Sequence, residues 1–238
     1  MNALISARGL TKRYAGRLVV NGIDLDVFAG EVLAVIGPNG AGKSTTLEML
    51  LGLRIPDAGT VTYWTADPRR EMGVQLQNTP FFPGLTAAEN LQVFASFYGL
   101  RLSDARLREL LSQCRLEEVA NIEAARLSGG QQKRLAIAAA LVHNPKVVFL
   151  DEPTAALDPL ARHEIRNVVR RIHQAGTTMV FTSHDMEEVE KLAERVIIIA
   201  AGAVVASGTP GALTAAFGVA NLEELYLKLI PEVVGRCG

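Results

Sequence analysis

The chain has 238 residues, of which 49% are apolar, 21% charged and 5% aromatic, a balance that excludes a disordered or collagen-like protein. It carries 24 Lys and Arg against 25 Asp and Glu, a formal net charge of −1, so we expect no nucleic-acid partner. Cys114 and Cys237 have no metal-ligand or redox spacing, which predicts free thiols in a reducing compartment. The longest apolar run, around residues 196–206, is shorter than the roughly 20 residues of a membrane span. We therefore expect a chain that does not itself cross a membrane.

The N-terminal third predicts strands around one glycine-rich turn. Residues 23–27 alternate apolar and polar side chains, as in an antiparallel strand with one solvated face. A continuous apolar strand over 31–36 precedes the turn, and a helix over 44–51 follows it. Short strands are predicted over 59–64 and 72–77.

The middle of the sequence changes to helical signals. Thr86 and Glu89 have the spacing of a capping box, which opens a helix that ends near Gly99. Ser103 is the expected cap of the next helix, and a third helix runs from Ser128 to about residue 141. These helices predict a helical insert over about residues 86–144.

The last third alternates strand and helix. Apolar strands over 147–150 and 178–182 flank a helix over about 159–176, which is the βαβ pattern of a parallel sheet. Two closing strands are predicted near 196–206, and the leucines between 222 and 229 predict an amphipathic helix. We therefore predict one α/β domain, with a core over about 1–85 and 145–210, the helical insert, and a helical tail over about 211–238.

Residues 37–44 match the phosphate-loop pattern GxxxxGK[ST] at every fixed position. Glycines allow backbone N–H groups to converge on a phosphate, and the helix that follows adds the positive end of its dipole. Lys43 is expected to neutralise the outer phosphates, and the Ser44 hydroxyl to occupy one Mg²⁺ coordination position. A glycine-rich hairpin turn is the structural alternative. The predicted phosphate-binding residues are Gly37, Pro38, Asn39, Gly40, Ala41, Gly42, Lys43, Ser44 and Thr45.

Two acids end the apolar strand over 147–150. The carboxyl ends of parallel strands share one sheet edge, so Asp151 is predicted to hold Mg²⁺ and Glu152 to accept a proton from an attacking water. The alternative is a pair of solvated acids. Earlier in the chain, Ser128 is predicted to cap a helix whose first residues are two glycines. This pattern predicts a second helix start that can bind an anion.

Five motifs follow one another in the chain: GPNGAGKS over 37–44, a glutamine after a strand, LSGGQ over 127–131, DEPTAALD over 151–158, and TSHD over 182–185. Together they resemble the ATP-binding cassette of ABC transporters, across residues 3–210. The resemblance implies a P-loop NTPase core with a parallel sheet, an N-terminal antiparallel β-subdomain and an inserted α-helical subdomain. It implies ATP and Mg²⁺ as cofactors, held between two cassettes that pair head to tail. The phosphate loop of one cassette then faces the following residues of the other: Ser128, Gly129, Gly130 and Gln131.

The resemblance also implies roles for single residues. His184 contacts the γ-phosphate, Asp158 lies at the dimer seam, and Tyr14 stacks on adenine, with a strand aromatic that covers the core as the alternative for Tyr14. Gln75 and Gln77 lie on one face of the same strand, and the family's spacing before the capping box at 86–89 favours Gln77 as the residue that reaches Mg²⁺ and the attacking water. The expected catalytic residues are Glu152, His184, Gln77 and Lys43, and the expected metal ligands are Ser44, Gln77 and Asp151.

The implied function is the ATPase subunit of a membrane transporter. It would lie at the cytoplasmic face of the cell membrane, pair with a second cassette that is expected to be its own copy, and act through a separate integral membrane permease. The tail over 221–229 resembles the C-terminal helix of exporter-type (ABC-2) cassettes, which favours export over import. The alternative is a non-transport ABC ATPase, such as an iron–sulfur-assembly type. A P-loop kinase or GTPase is disfavoured, because the chain has neither an Arg-rich lid nor an Asn-Lys-x-Asp motif.

Overall fold

Nine strands and eight α-helices make up the part of the chain that the computed structural model describes, residues 2–76 and 80–234, with side chains described to residue 230. They form two compact units, residues 1–69 with 180–238, and residues 70–179. The strands are β1 (Ala3–Tyr14), β2 (Arg17–Phe28), β3 (Val32–Ile36), β4 (Ala58–Tyr63), β5 (Met72–Gln75), β6 (Val147–Asp151), β7 (Thr178–Ser183), β8 (Arg195–Ala200) and β9 (Ala203–Gly208). The helices are α1 (Lys43–Leu50), α2 (Ala87–Ser96), α3 (Asp104–Gln113), α4 (Gly129–Ala140), α5 (Pro159–Gln174), α6 (Met186–Leu192), α7 (Pro210–Phe217) and α8 (Leu222–Val234).

The first unit contains an antiparallel sheet in the order β2-β1-β4. In β2, the side chains of Ile23, Leu25 and Val27 are buried, whereas Asp24 between them is exposed. The predicted antiparallel strand with one solvated face is therefore confirmed. Its partner β1 pairs with β2 in a register that is irregular at several points.

The same unit contains the strand that leads into the phosphate loop. All five residues of β3 are buried, β3 runs parallel to β8, and β8 turns back into β9 as an antiparallel pair. Gly202 occupies the turn with φ +80°, and a Cβ there would lie 2.7 Å from the carbonyl oxygen of Val19, so a side chain has no room. The predicted closing pair of strands is confirmed.

The C-terminal helix α8 is an integral part of the first unit. Leu222, Leu225 and Leu229 are buried on its inner face, which packs against α6, α7 and β8. The backbone N–H of Leu222 also donates to the carboxylate of Glu190 on α6, at 2.5 Å. The predicted amphipathic tail helix is therefore present, and its apolar face covers this edge of the unit.

The second unit, residues 70–179, combines the parallel strands β5 and β6 with four helices, α2 to α5. A Cβ on Gly73 of β5 would lie 2.1 Å from the carbonyl oxygen of Ala140, so the end of α4 and the strand are in direct contact. The predicted caps are in place, because Thr86 and Ser128 both form capping boxes and Ser103 caps α3. The strand predicted over 72–77 ends at Gln75, and Gln77 lies outside the described residues.

Candidate nucleotide site

The phosphate loop in the first unit is folded around its own lysine. Lys43 is 8% exposed, and its Nζ donates to the main-chain carbonyls of Gly37 at 2.7 Å and Pro38 at 3.0 Å. These two carbonyl oxygens hold the ammonium of Lys43 inside the loop. The loop joins β3 to a helix and not to a second strand, so the alternative of a glycine-rich hairpin turn is wrong.

Two glycines of this loop have no room for a side chain. A Cβ on Gly37 would lie 2.0 Å from the carbonyl oxygen of Ile199. A Cβ on Gly42 would lie 2.6 Å from the carbonyl oxygen of Val19, and Gly42 also has φ +99°. The position of the loop therefore depends on close packing against β2 and β8.

Helix α1 begins in a way that its neighbours do not. Its N-cap is Gly42, which supplies no side-chain hydrogen bond to the first turn. A side-chain oxygen caps each of the helices α2 to α7, at Thr86, Ser103, Ser128, Asp158, Asp185 and Thr209. The start of α1 therefore relies on an acceptor other than its cap side chain, and a phosphate is the usual group at such a position.

The two acids lie at the end of β6, in the second unit. Asp151 and Glu152 are both partly buried, and Glu152 has φ +47°, an uncommon conformation for a residue with a side chain. The carbonyl oxygen of Glu152 accepts from the backbone N–H of Ala155 at 3.2 Å and from Lys133 Nζ at 3.5 Å. Burial lowers the pKa of Lys133, while the carboxylates of Asp151 and Glu152 partly oppose this shift. The acids are therefore part of an ordered turn, and their roles as Mg²⁺ ligand and base stay predictions.

The LSGGQ segment forms the start of α4 as predicted. Ser128 Oγ accepts from the backbone N–H of Gln131 at 3.3 Å, and the Gln131 side chain accepts from the N–H of Ser128 at 2.8 Å. A Cβ on Gly130 would lie 2.9 Å from the Cβ of Ala161, so α4 and α5 are in close contact here. A cleft of about 290 Å³ lies between the two helix starts. The structure thus brings the predicted residues Ser128, Gly129, Gly130 and Asp158 to one cleft of the second unit.

His184 lies in the first unit, in the link between β7 and α6. Its side chain is exposed. The link is held by two hydrogen bonds: the backbone N–H of Asp185 donates to Ser183 Oγ at 3.0 Å, and the Asp185 carboxylate accepts from the N–H of Glu188 at 3.1 Å. An exposed imidazole on an ordered link suits a role as a ligand contact.

Tyr14 ends β1, and its ring is 37% exposed, so its stacking on adenine stays a prediction beside the alternative of a strand aromatic that covers the core. The guanidinium of Arg54 lies 5.2 Å from the ring centroid, and Arg54 Nε is paired with Glu48 at 2.5 Å. An arginine therefore supports the tyrosine that the sequence predicts to stack on adenine. Sequence reasoning missed Arg54, because no local pattern places it against Tyr14.

Gln75 ends β5 and pairs in register with Leu150 of β6, the residue before Asp151. Gln75 is 1% exposed, and its Oε1 has no hydrogen-bond partner within residues 2–76 and 80–234. The assignment of Mg²⁺ contact to Gln77 therefore stays a prediction.

The donor atoms predicted for Mg²⁺ are few. Within the described ranges, no three His, Cys, Asp or Glu side chains lie close enough together to enclose a metal ion. Mg²⁺ commonly takes only one or two protein oxygens and fills its octahedron with phosphate oxygens and water. The hydroxyl of Ser44 and the carboxylate of Asp151 are oxygen donors of the kind that Mg²⁺ prefers.

No helix in the described part of the chain is both long and apolar enough to cross a membrane.

Comparison with known proteins places these features in one family. The model of the ABC transporter family matches residues 20–155, more than half of the chain. The Nod factor export ATP-binding protein I of Burkholderia orbicola is 42% identical over 94% of this chain and 77% of its own length. The linearmycin resistance ATP-binding protein LnrL of Bacillus subtilis is 37% identical over 96% of this chain and 76% of its own length.

Solved structures agree with the sequence comparison. The ATP-binding subunit of an ABC transporter has a TM-score of 0.82 and 31% identity, over 95% of this chain and 99% of the other. A dimeric ATP-binding cassette in a post-hydrolysis state, bound to ADP and Pi, has a TM-score of 0.76 and 30% identity, over 86% of this chain and 98% of the other. The chain belongs to the ABC transporter family, and it is an ATP-binding and ATP-hydrolysing cassette of that family.

Proposed function

We propose that the chain drives export by hydrolysing MgATP at the cytoplasmic face of the cell membrane, coupled to a separate integral membrane permease. Two relatives support this direction, because one is named for export of Nod factor and the other for resistance to linearmycin. These names favour transport over the alternative of an iron–sulfur-assembly cassette.

The start of α1 is the observation that carries the nucleotide site. Its N-cap contributes no side-chain acceptor, and Lys43 lies in the same loop with its ammonium on two carbonyls. Backbone N–H groups, the helix dipole and one lysine then face the β- and γ-phosphates together. Tyr14, supported by Arg54, is proposed to stack on the adenine.

Mg²⁺ would be held by the Ser44 hydroxyl and the Asp151 carboxylate, with Gln77 as a further ligand outside the described residues. The ion would neutralise charge on the phosphate oxygens. The protein's own contribution is to orient the two oxygens, and Asp151 does so from the last position of a buried strand.

Hydrolysis needs a base and a ligand for the γ-phosphate. Glu152 is proposed to accept a proton from the attacking water while the water oxygen bonds to the γ-phosphorus and the bond to the β–γ bridging oxygen breaks. The pair of electrons of that bond leaves with ADP. His184 is proposed to donate a hydrogen bond to a γ-phosphate oxygen from its ordered link.

A second copy of the chain is proposed to close the site from the other side. Ser128 and Asp158 line one cleft, and the neighbouring Leu160 leaves 70% of its surface exposed. An exposed leucine beside a helix start that can bind an anion fits a face that meets a partner. The dimeric form of the related cassette with ADP and Pi supports a pair of this kind.

Three variants test the site through phosphate release and size-exclusion chromatography. Lys43→Ala should abolish ATPase activity, and near-normal turnover would remove the phosphate loop from the mechanism.

Glu152→Gln should retain ATP and accumulate a closed dimer, whereas hydrolysis at the parental rate would show that another base acts. Ser128→Arg should block the ATP-dependent dimer but keep nucleotide binding by the monomer, and loss of both would give the segment a purely structural role.

A further inference from the structure

We propose that Lys133 is a positioning residue that holds the backbone turn carrying Glu152, and so links the LSGGQ helix to the base of its own chain. The proposal rests on the proposed function, in which Glu152 is the general base. In this proposal Lys133 acts on Glu152 and not on the nucleotide, through the main-chain carbonyl that it contacts.

One face of α4 is turned toward this base. Gly129, Gln132, Lys133 and Ala136 line a cleft of about 460 Å³, and their spacing of three and four residues places them on one side of the helix. The opposite wall of this cleft includes residues 155–157 of the turn that follows Glu152. Lys133 is central on that face and is partly buried.

The contact is made at the carbonyl oxygen of Glu152. This oxygen has two lone pairs, and it accepts from the N–H of Ala155 at 3.2 Å and from Lys133 Nζ at 3.5 Å. The first bond closes the turn from within. The second comes from a different helix, so it fixes the turn relative to α4.

Glu152 has a particular need for such a contact. A left-handed conformation of a residue with a side chain costs of the order of 1–3 kcal/mol and persists only where the surroundings impose it. Glu152 has φ +47°, and its side-chain direction changes if the peptide relaxes. The lysine therefore stabilises the conformation that aims the carboxylate.

The test measures kcat and KM for ATP hydrolysis by the full chain, together with nucleotide affinity and urea unfolding. Lys133→Met, which keeps an apolar stem of similar length, should lower kcat about tenfold, the weaker end of the range for hydrogen bonds from a charged donor, because the contact is long. KM and nucleotide affinity should stay within about twofold, since the change does not touch the nucleotide. Lys133→Arg should recover most of kcat.

The matched control is Lys146→Met, the same substitution at an exposed lysine of the same unit, which should leave kcat unchanged. An unaltered kcat in Lys133→Met would overturn the proposal. So would a loss of kcat that Lys133→Arg does not recover, or one that follows a matching loss of nucleotide affinity. If Lys133→Met does not fold, Lys133→Leu, which also lacks a donor, is measured in its place with the same expectation.

A double variant separates this proposal from the function on which it rests. In Glu152→Gln, the residual rate should not fall further when Lys133→Met is added, because both changes act through one group. A further tenfold loss would show that Lys133 acts elsewhere. It would refute the positioning role of Lys133 and leave the role of Glu152 as the base intact. Parental activity of Glu152→Gln would instead refute the role of Glu152 as the base.

Discussion

The ion pair between α4 and α5 gives a prediction about stability that can be worked out from the structure. Arg134 NH1 lies 2.6 Å from a carboxylate oxygen of Glu164, and the arginine side chain is only 8% exposed while the glutamate is 29% exposed. Arg134 Nε is also buried without a hydrogen-bond partner within the described ranges. The pair is therefore asymmetric, because the cation depends on the carboxylate more than the carboxylate depends on the cation.

Replacing Glu164 by leucine should destabilise the protein substantially. Loss of a hydrogen bond to a charged group costs about 1.5–3 kcal/mol, and a buried charge left without its partner raises the cost toward about 3–5 kcal/mol. The cleft beside Arg134, of about 730 Å³, is lined by polar side chains and can admit water to the cation. We therefore expect the free energy of unfolding to fall by about 2 kcal/mol, within the range for loss of a hydrogen bond to a charged group.

The assay is urea unfolding followed by far-UV circular dichroism, in which a loss of 2 kcal/mol shifts the midpoint by about 1 M. The double variant Arg134→Met and Glu164→Leu should recover at least half of the loss, because no charge then remains buried. If the double variant is as unstable as the sum of the single variants, the buried cation is not the cause. If Glu164→Leu unfolds at the parental midpoint, the pair contributes nothing to stability.

Three further predictions follow from buried or crowded positions. Gly42→Ala should destabilise the protein more than Gly40→Ala in the same urea assay. Both residues have positive φ, but only a Cβ at Gly42 would meet the Val19 carbonyl oxygen, at 2.6 Å. Equal losses would contradict the role of this contact. Burial raises the pKa of the Cys114 thiol to about 12, so the thiolate is scarce below that pH, and in a Cys237→Ser background Ellman's reagent should label Cys114 only after urea is added. Rapid labelling of the folded protein would show that the thiol is accessible. Leu225→Asp on the buried face of α8 should lower the free energy of unfolding by about 3 kcal/mol, whereas Leu227→Asp on its exposed face should have little effect, and similar losses would mean that α8 is not packed as described.

Local sequence signals predicted most of the elements. Capping boxes at Thr86 and Ser128, and the apolar run before the phosphate loop, each depend on residues within a few positions of one another. Helix α6 was not predicted, because it has only seven residues and a buried face of Met186, Val189 and Leu192 within a strongly charged segment. It packs against α8, and its cap at Asp185 is a local signal that the sequence interpretation passed over.

The candidate site also has a part that local sequence predicts and a part that it does not. The residues of the phosphate loop and of the LSGGQ segment were predicted because each motif consists of consecutive residues. The contacts of Arg54 with Tyr14, of Lys133 with Glu152 and of Arg134 with Glu164 join residues that are 19 to 40 positions apart. Such pairs need the fold before they can be named. Lys133 and Arg134 follow LSGGQ in the sequence, but no local pattern identifies Glu152 and Glu164 as their partners.

The unusual start of α1 links nucleotide binding to the stability of the fold. A helix cap contributes about 1 kcal/mol, and α1 lacks a side-chain cap at Gly42, so we expect a bound triphosphate to complete the first turn of this helix. A ligand present at a hundred times its dissociation constant adds about 2.7 kcal/mol to the folded state. We therefore expect the protein to resist proteolysis better with nucleotide than without it.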